Sequence, residues 1–390
     1  MAGVGPGKST EGSDLIIKAV TKQDPRPVYI VINAGSNTLA QAIFDYKANH
    51  SEEELASFIG KLRVFENGAQ DNAGAWVCAN YPNIHWMRSN YQTYCYGGPS
   101  YKSKAGSQDN DKNLGPYTWE PYPYSSLGQH QWALEHIKGN HGMLGKSWPI
   151  RQMYNGRIGY LEGGGTIPWM MLIHNGLSDI NKPHWGGWSG RFTKEKVKNE
   201  WSRSKRIEEE EKEFNDFWLY SETSDNWFNT EEDSLMNNIY TPVWRWRRAM
   251  YNDFRCRMDW CVEEFESANH NPVAAINGDN EERIHFVKVK PGEKISFDAS
   301  KSSDPDGDKL NFKWWIYREA GSYEKELSIK ESSQSKCSVS IPADASGKTI
   351  HLILEIKDNN KIASLYDYRR IVIQVSNTNN HMDIKRQWNK

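Results

Sequence analysis

The run Pro27-Val-Tyr-Ile-Val-Ile-Asn33 constrains the fold of this chain more than any other stretch. Its apolar residues are consecutive rather than alternating, so both faces need cover, and Pro27 and Gly35 bracket it. Such a strand belongs inside a parallel sheet flanked by helices. Its neighbours fit that frame. Asp14–Val20 reads as the end of a helix, and Thr38–Tyr46 carries Leu39, Ile43 and Tyr46 on one helical face. Ser51 and Glu54 have capping-box spacing and open a helix over Ser51–Gly60. Leu62–Phe65 is a second short strand, Ala69–Asn80 a further helix and Ile84–Met87 a third strand. This alternation predicts an α/β fold of βαβ units with right-handed crossovers.

In open α/β sheets, ligands gather at the carboxyl ends of the strands. After the first strand that position carries Asn33, Gly35 and Asn37, and after the second Glu66, Asn67, Gln70 and Asp71. Asn33, Asn37, Glu66, Asn67 and Asp71 are therefore candidate ligand-binding residues. Each has a structural alternative: Asn37 as the cap of the next helix, Glu66 and Asp71 as solvated or capping groups.

Periodicity fades between residues 91 and 240, where Gly, Tyr, Trp, Asn and Pro dominate. Leu127–Asn140 is a possible helix, and Gly163-Gly164-Gly165-Thr166 precedes Ile167–His174, an apolar run readable as a strand or a buried segment. His174, Asn175, Asp179 and His184 are candidates for a further polar ligand or an acid, although His174 reads first as a core histidine. In Trp185-Gly186-Gly187-Trp188 the glycines are expected to expose both indoles for stacking, the alternative being a loop packed on the rim of the domain. Lys194–Phe217, with Glu208–Glu211, reads as a solvated helix face, and Val243–Glu264 as one long helix.

At Asn269-His-Asn-Pro272 the character changes. Short alternating segments follow: His285–Val289, Lys294–Asp298, Leu310–Tyr317, Ser338–Ile341, Thr349–Lys357 and Tyr368–Val375. Strands this short and this closely spaced predict an immunoglobulin-like all-β sandwich over 269–378, after an α/β domain over 14–268. Asp304-Pro-Asp306-Gly-Asp308 is first of all a turn. Asp304, Asp306 and Asp308 are also candidate calcium ligands, although no Glu stands at the twelfth position of an EF-hand loop.

Bulk properties exclude some classes. Lys plus Arg number 48 against 50 Asp plus Glu, a net charge of -2, which argues against a nucleic-acid partner held by phosphate neutralisation and against an anionic membrane surface. No apolar run approaches the roughly 20 residues needed to span a bilayer, and Met1–Thr10 lacks a signal peptide's apolar core. The 5 cysteines form no CxxC pair, which fits neither a zinc site nor a disulfide scaffold; Cys78 and Cys95 are a possible pair or two free thiols. The 17 Trp and 19 Tyr, many beside Gly, Asn or Pro, suit flat surfaces for sugars or bases.

The strand and loop Val28-Tyr-Ile-Val-Ile-Asn-Ala-Gly-Ser-Asn-Thr-Leu-Ala resemble nucleoside hydrolases. A closer resemblance, in order along nearly the whole chain, is to the cellulose-binding, nucleoside-hydrolase-like family. It is carried by Asp24-Pro-Arg-Pro, Asn37-Thr-Leu-Ala-Gln-Ala, Lys61-Leu-Arg-Val, Gln70-Asp-Asn-Ala-Gly, Asn175-Gly-Leu-Ser-Asp, Trp185-Gly-Gly-Trp-Ser-Gly-Arg191, Trp244-Arg-Trp-Arg and Asn269-His-Asn-Pro. The stretch around Asp304 resembles polycystic-kidney-disease and cadherin-like modules.

The resemblance implies a carbohydrate or polysaccharide ligand and an extracellular or periplasmic setting for the full-length family, and a homo-oligomer is a further candidate partner. It also implies hydrolysis of a glycosidic or N-glycosidic bond by metal-activated water, with non-catalytic binding of cellulose as the alternative. The Asp-rich, calcium-holding motif of nucleoside hydrolases is not found before Pro27, so the chain reads as an amino-terminally truncated hydrolase domain. No catalytic residue is assigned. Asn33 and Asn37 become candidates to hydrogen-bond sugar hydroxyls, alongside Glu66, Asn67, Asp71, Asn175, His184, Trp185 and Trp188.

Overall fold

The consecutive apolar residues of Val28–Ile32 form β1, which runs parallel to β2 (Leu62–Asn67) with Val28 opposite Leu62 and Ile32 opposite Glu66. The computed structural model describes residues 3–90, 92, 134–148, 150–152, 158–161, 165–197, 205–214, 216–229, 234–281 and 284–377. Of the sequence expectations, the first part of the Leu127–Asn140 helix, Gly163, Gly164 and Cys95 lie outside these residues. The chain gathers into two compact units: Met1–Leu127, Ile150–Leu172 and Asp179–Arg245 in the first, and Gly128–Pro149, Ile173–Ser178 and Trp246–Lys390 in the second.

In the first unit α1 (Glu11–Val20) starts at a capping box between Thr10 and Ser13. Next come α2 (Asn37–Asn49) and α3 (Glu52–Lys61), the latter opened by the reciprocal Ser51–Glu54 box. α4 (Ala73–Asn80) is shorter than its sequence suggests because residues 69–72 form the loop that leads into it. β3 (His85–Ser89) pairs parallel with β2. After the hairpin β4 (Ile150–Gln152) and β5 (Ile158–Leu161) come β6 (Phe192–Val197) and β7 (Phe217–Glu222). A ribbon of β8 (Asp225–Asn229) and β9 (Ser234–Asn238) follows, the last strands of this unit among the described residues. The main sheet has the order β1-β2-β3-β7-β6, parallel except for the edge strand β6.

One face of this sheet packs with α2, α3 and α4. Ile32, Leu39, Ile43, Leu55, Phe58, Val64, Val77, Trp86 and Leu219 share a core there, and burying each large aliphatic side chain contributes about 1.5–3 kcal/mol.

Three sequence expectations are corrected. Lys194–Phe217 is not one solvated helix face: its start is β6, and in the helix Lys205–Glu211 both Ile207 and Glu211 are buried. Ile167–His174 is no strand but a single helical turn, Ile167–Met170, followed by turns. Val243–Glu264 divides into Thr241–Trp244 and α5 (Arg247–Asp259).

The second unit holds the sandwich. β10 (His285–Val289), β11 (Lys294–Asp298), β12 (Asn311–Ile316), β13 (Ile329–Lys330), β14 (Lys336–Ser340), β15 (Thr349–Lys357) and β16 (Tyr366–Val375) form two sheets, ordered β10-β16-β15-β12 and β11-β14-β13. Phe297, Trp314, Val339, Leu352, Leu354, Ile371 and Ile373 fill the space between them. The segment Ile173–Ser178 joins this unit through β16: the Arg370 amide donates to Gly176 O at 3.1 Å and Arg370 Nε to Leu177 O at 2.8 Å. Trp246, just before α5, packs against the rings of Trp315, Tyr317 and Tyr368.

Candidate functional site

Parallel register aligns the carboxyl ends of the strands. Ile32 lies opposite Glu66, Glu66 opposite Arg88, and Arg88 opposite Ser221. One residue further on, Asn67 pairs with Ser89, while Asn33 and Glu222 follow Ile32 and Ser221. Successive strand residues face opposite ways, so these two rows point to opposite faces of the sheet.

The Glu66 row is a structural lock beneath the edge. Glu66 is fully buried; Ser36 Oγ donates to its Oε1 at 2.7 Å, and Trp86 Nε1 and Arg88 Nε donate to its Oε2 at 2.9 and 2.6 Å. Arg88 also grips buried Glu211 with both terminal nitrogens, at 3.2 and 3.0 Å. Burial raises the Glu211 carboxyl to about 7, and the negative charge of Glu66 adds to this against the pull of Arg88. Gly74 in α4 leaves the room required, since a Cβ there would stand 2.6 Å from Glu66 Oε1 and 2.9 Å from the Trp86 ring.

The second row runs along the edge, with Asn33 exposed and Asn67, Ser89 and Glu222 buried. Asn67 Nδ2 donates to Asn33 Oδ1 at 3.1 Å, and Gln70 Nε2 to Asn33 O at 2.8 Å. Ser89 Oγ donates to the Glu222 carboxylate, which also accepts the Gln92 amide at 2.6 Å. Beside this row Asp71 ties two turns together, accepting from Asn37 N at 3.2 Å and Ala73 N at 3.0 Å. Gly35 is needed there, because a Cβ would collide with the Asp71 carboxylate. Asn37 is not the helix cap: Ser36 holds that position, and Asn37 is the first helical residue, exposed, with Oδ1 accepting from Thr38 N at 3.1 Å.

The structure thus brings together Asn33, Asn37, Glu66, Asn67 and Asp71, with Glu66 and Asn67 buried and the other three reaching solvent. Ser89, Gln92 and Glu222 join the same edge although the sequence reading did not single them out. Ser89 carries a signal in hindsight, because it ends the third strand as Asn67 ends the second. Glu222 carries none without knowledge of β7.

His184 is exposed in the middle of a short helical turn, Pro183–Trp185, its ring 6.1 Å from that of Trp185. The expected exposure of the two indoles is overturned: Trp185 is 7% and Trp188 2% exposed. Gly186, Gly187 and Gly190 have positive φ, so these glycines shape the backbone that folds the loop inward, and Ser189 Oγ anchors it to Ile167 O at 2.6 Å. Asn175 belongs to the second unit, where it is buried and its Oδ1 accepts from Leu177 N at 3.3 Å.

In the sandwich, Asp304, Asp306 and Asp308 face three different sets of partners. Asp304 Oδ1 accepts the amides of Asp306 and Asp308, Asp306 accepts from His270, and Asp308 Oδ2 accepts from Asn360 Nδ2. Among the described residues no three His, Cys, Asp or Glu side chains form a metal-binding group. Cys78, Cys256 and Cys337 are buried free thiols, and Cys261 is exposed.

Residues 1–192 match the family model described as "Cellulose-binding Sde182, nucleoside hydrolase-like domain", and residues 294–375 match "Cellulose-binding protein Sde0182, C-terminal domain". Among solved structures, a nucleoside hydrolase-related hypothetical protein from Saccharophagus degradans, described as associated with carbohydrate metabolism, is 35% identical. The match covers 96% of this chain and 78% of that one, with a TM-score of 0.76. The chain belongs to this cellulose-binding, nucleoside-hydrolase-like family. Over 24% of its length it also matches the PKD domain of human KIAA0319, at 10% identity and a TM-score of 0.19. No curated protein matches it. For a chain of the cellulose-binding, nucleoside-hydrolase-like family, the polar row lies where α/β folds of this class receive ligands.

Proposed function

We propose that this chain binds carbohydrate across the carboxyl edge of its parallel sheet. The observation that carries the reading is the cluster of solvent-reaching polar residues Asn33, Asn37, Gln70 and Asp71 at the strand ends, backed by the buried row Asn67, Ser89 and Glu222, with Asn67 and Gln70 both bonded to Asn33. Side-chain amides both donate and accept, which is what a surface needs to meet sugar hydroxyls. Membership of a family described as cellulose-binding supports the ligand class. The common glycosidase device is a pair of carboxyl groups poised at the reacting bond. The carboxylates here are engaged by the protein: Glu66 by three side-chain donors, Asp71 by two backbone amides, Glu222 by Ser89 and Gln92.

The test is retention of the full chain on insoluble cellulose. Replacing exposed Asn33 by Ala is expected to weaken retention about tenfold, the equivalent of one or two lost hydrogen bonds. Retention equal to that of the unaltered protein would remove the edge from consideration. Hydrolysis of a glycosidic or N-glycosidic bond is the second reading, favoured by the nucleoside hydrolase-like fold. Turnover of p-nitrophenyl ribosides or soluble glycans, with or without added calcium, would establish it.

A further inference from the structure

The β8–β9 ribbon pairs Asn226 with Asn237, Trp227 with Met236 and Phe228 with Leu235. Side chains alternate across a ribbon, so Asn226, Phe228, Leu235 and Asn237 share one face. That face is open: Phe228 is 52% and Leu235 63% exposed, and both asparagines are exposed. Trp227 and Met236, on the opposite face, are half-buried.

The ribbon is anchored at its base. Asp225 is buried and accepts from Arg191 Nε at 2.6 Å and Arg245 Nη1 at 3.2 Å. Asn238, paired with Asp225, accepts the amides of Tyr240 and Thr241 at 2.9 and 3.1 Å. The open face is therefore held on a fixed support.

We infer that this face is a second carbohydrate-contacting surface, a platform for the pyranose face of a neutral β-linked glucan. This inference rests on the carbohydrate reading above. An aromatic ring beside a branched aliphatic gives a flat apolar patch, and sugar rings present C–H faces that pack on such a patch. The Asn237 amide beside it both donates and accepts, which suits ring hydroxyls. None of the four side chains is ionisable, so the face matches an uncharged polymer and carries no charge to draw a phosphate or an acidic peptide. Same-face neighbours stand about 5 Å apart across the strands and roughly 7 Å apart along them, a patch the size of one sugar ring.

The experiment compares the full-length unaltered chain with Phe228→Ala/Leu235→Ala and with Phe228→Tyr on phosphoric-acid-swollen cellulose, with cellohexaose as competitor. Thermal melting is followed in parallel to verify folding. The double variant is expected to melt like the unaltered chain and to bind about tenfold more weakly, while Phe228→Tyr retains binding. Unchanged cellulose binding by the folded double variant overturns this platform and leaves the carbohydrate reading standing. A concentration-dependent dimer that the double variant abolishes, with cellulose binding intact, also overturns it, in favour of a contact between two copies. Failure of the unaltered chain to bind any insoluble glucan overturns both readings together.

Discussion

Both units bury arginine, and they do so by different chemistry. In the first, Arg88 lies between two carboxylates, Glu66 and Glu211, with its guanidinium 5.5 Å from the Phe217 ring centre. In the second, Arg370 donates to the Leu177 carbonyl, meets His351 Nδ1 at 3.0 Å and lies 5.4 Å from the Tyr317 ring centre. A cation shared by two acids is strong only while the proton count is right. A cation set against a carbonyl, an imidazole and a ring is bound to the backbone path of its neighbour. The sheet edge is thereby tied to pH, and the sandwich to chain geometry.

The sharpest way to break this contrast is Arg88→Met. It leaves two buried carboxylates without their cation, and about 3–5 kcal/mol of stability is expected to be lost near neutral pH by chemical denaturation. A loss below about 1 kcal/mol would mean that the pair is not the lock described, because small losses characterise exposed pairs. Gly176→Ala tests the other side. Gly176 has φ +79° and a Cβ would collide with the Tyr368 carbonyl, so roughly 1–3 kcal/mol is expected to be lost, with β16 amides showing faster hydrogen exchange.

The smallest effect concerns acid. A Glu211 carboxyl raised to about 7 keeps its proton longer in the native state than in the unfolded chain. The native state therefore takes up a proton as pH falls from about 7 towards the unfolded value near 4.3, and stability from this group rises over that window. The unaltered chain should gain on the order of 1 kcal/mol relative to Glu211→Gln over that interval. Burial and the nearby cations Arg63 and Lys194 lower His85 to about 4, so His85 acts in the opposite direction, losing stability as pH drops through the usual histidine range. Both proteins carry His85, so its contribution cancels in the comparison. A flat difference would show that Glu211 is ionised throughout.

Much of the α/β frame was legible because its signals are local: consecutive apolar residues in β1 and a capping box before α3. Asn33 and Asn67 could be read as edge residues for the same reason, each standing at the end of a recognisable strand. Glu222 could not, because β3 pairs with β7 across a long stretch of chain and no local pattern announces that partner. β6 hid as a charged helix because it is an edge strand, buried only at Phe192 and Val197, with Lys194, Glu195 and Lys196 exposed between them. Charges on an edge strand discourage further pairing, and they erase the alternation by which a strand is recognised. Trp185 and Trp188 misled for a related reason: glycine next to tryptophan resembles an exposed loop, whereas here positive φ turns the rings inward.

The Gly176–Arg370 contact also bears on how such a protein could have been assembled. A β-sandwich is often pictured as a cassette, cut at its linker and spliced behind another catalytic or binding partner. This one draws a short stretch near residue 176 and the helix after Trp246 into its own fabric, so a cut at Asn269 would remove parts that its last strand and its aromatic cluster use. Transplanting the sandwich into another chain would require carrying three separate pieces of sequence together.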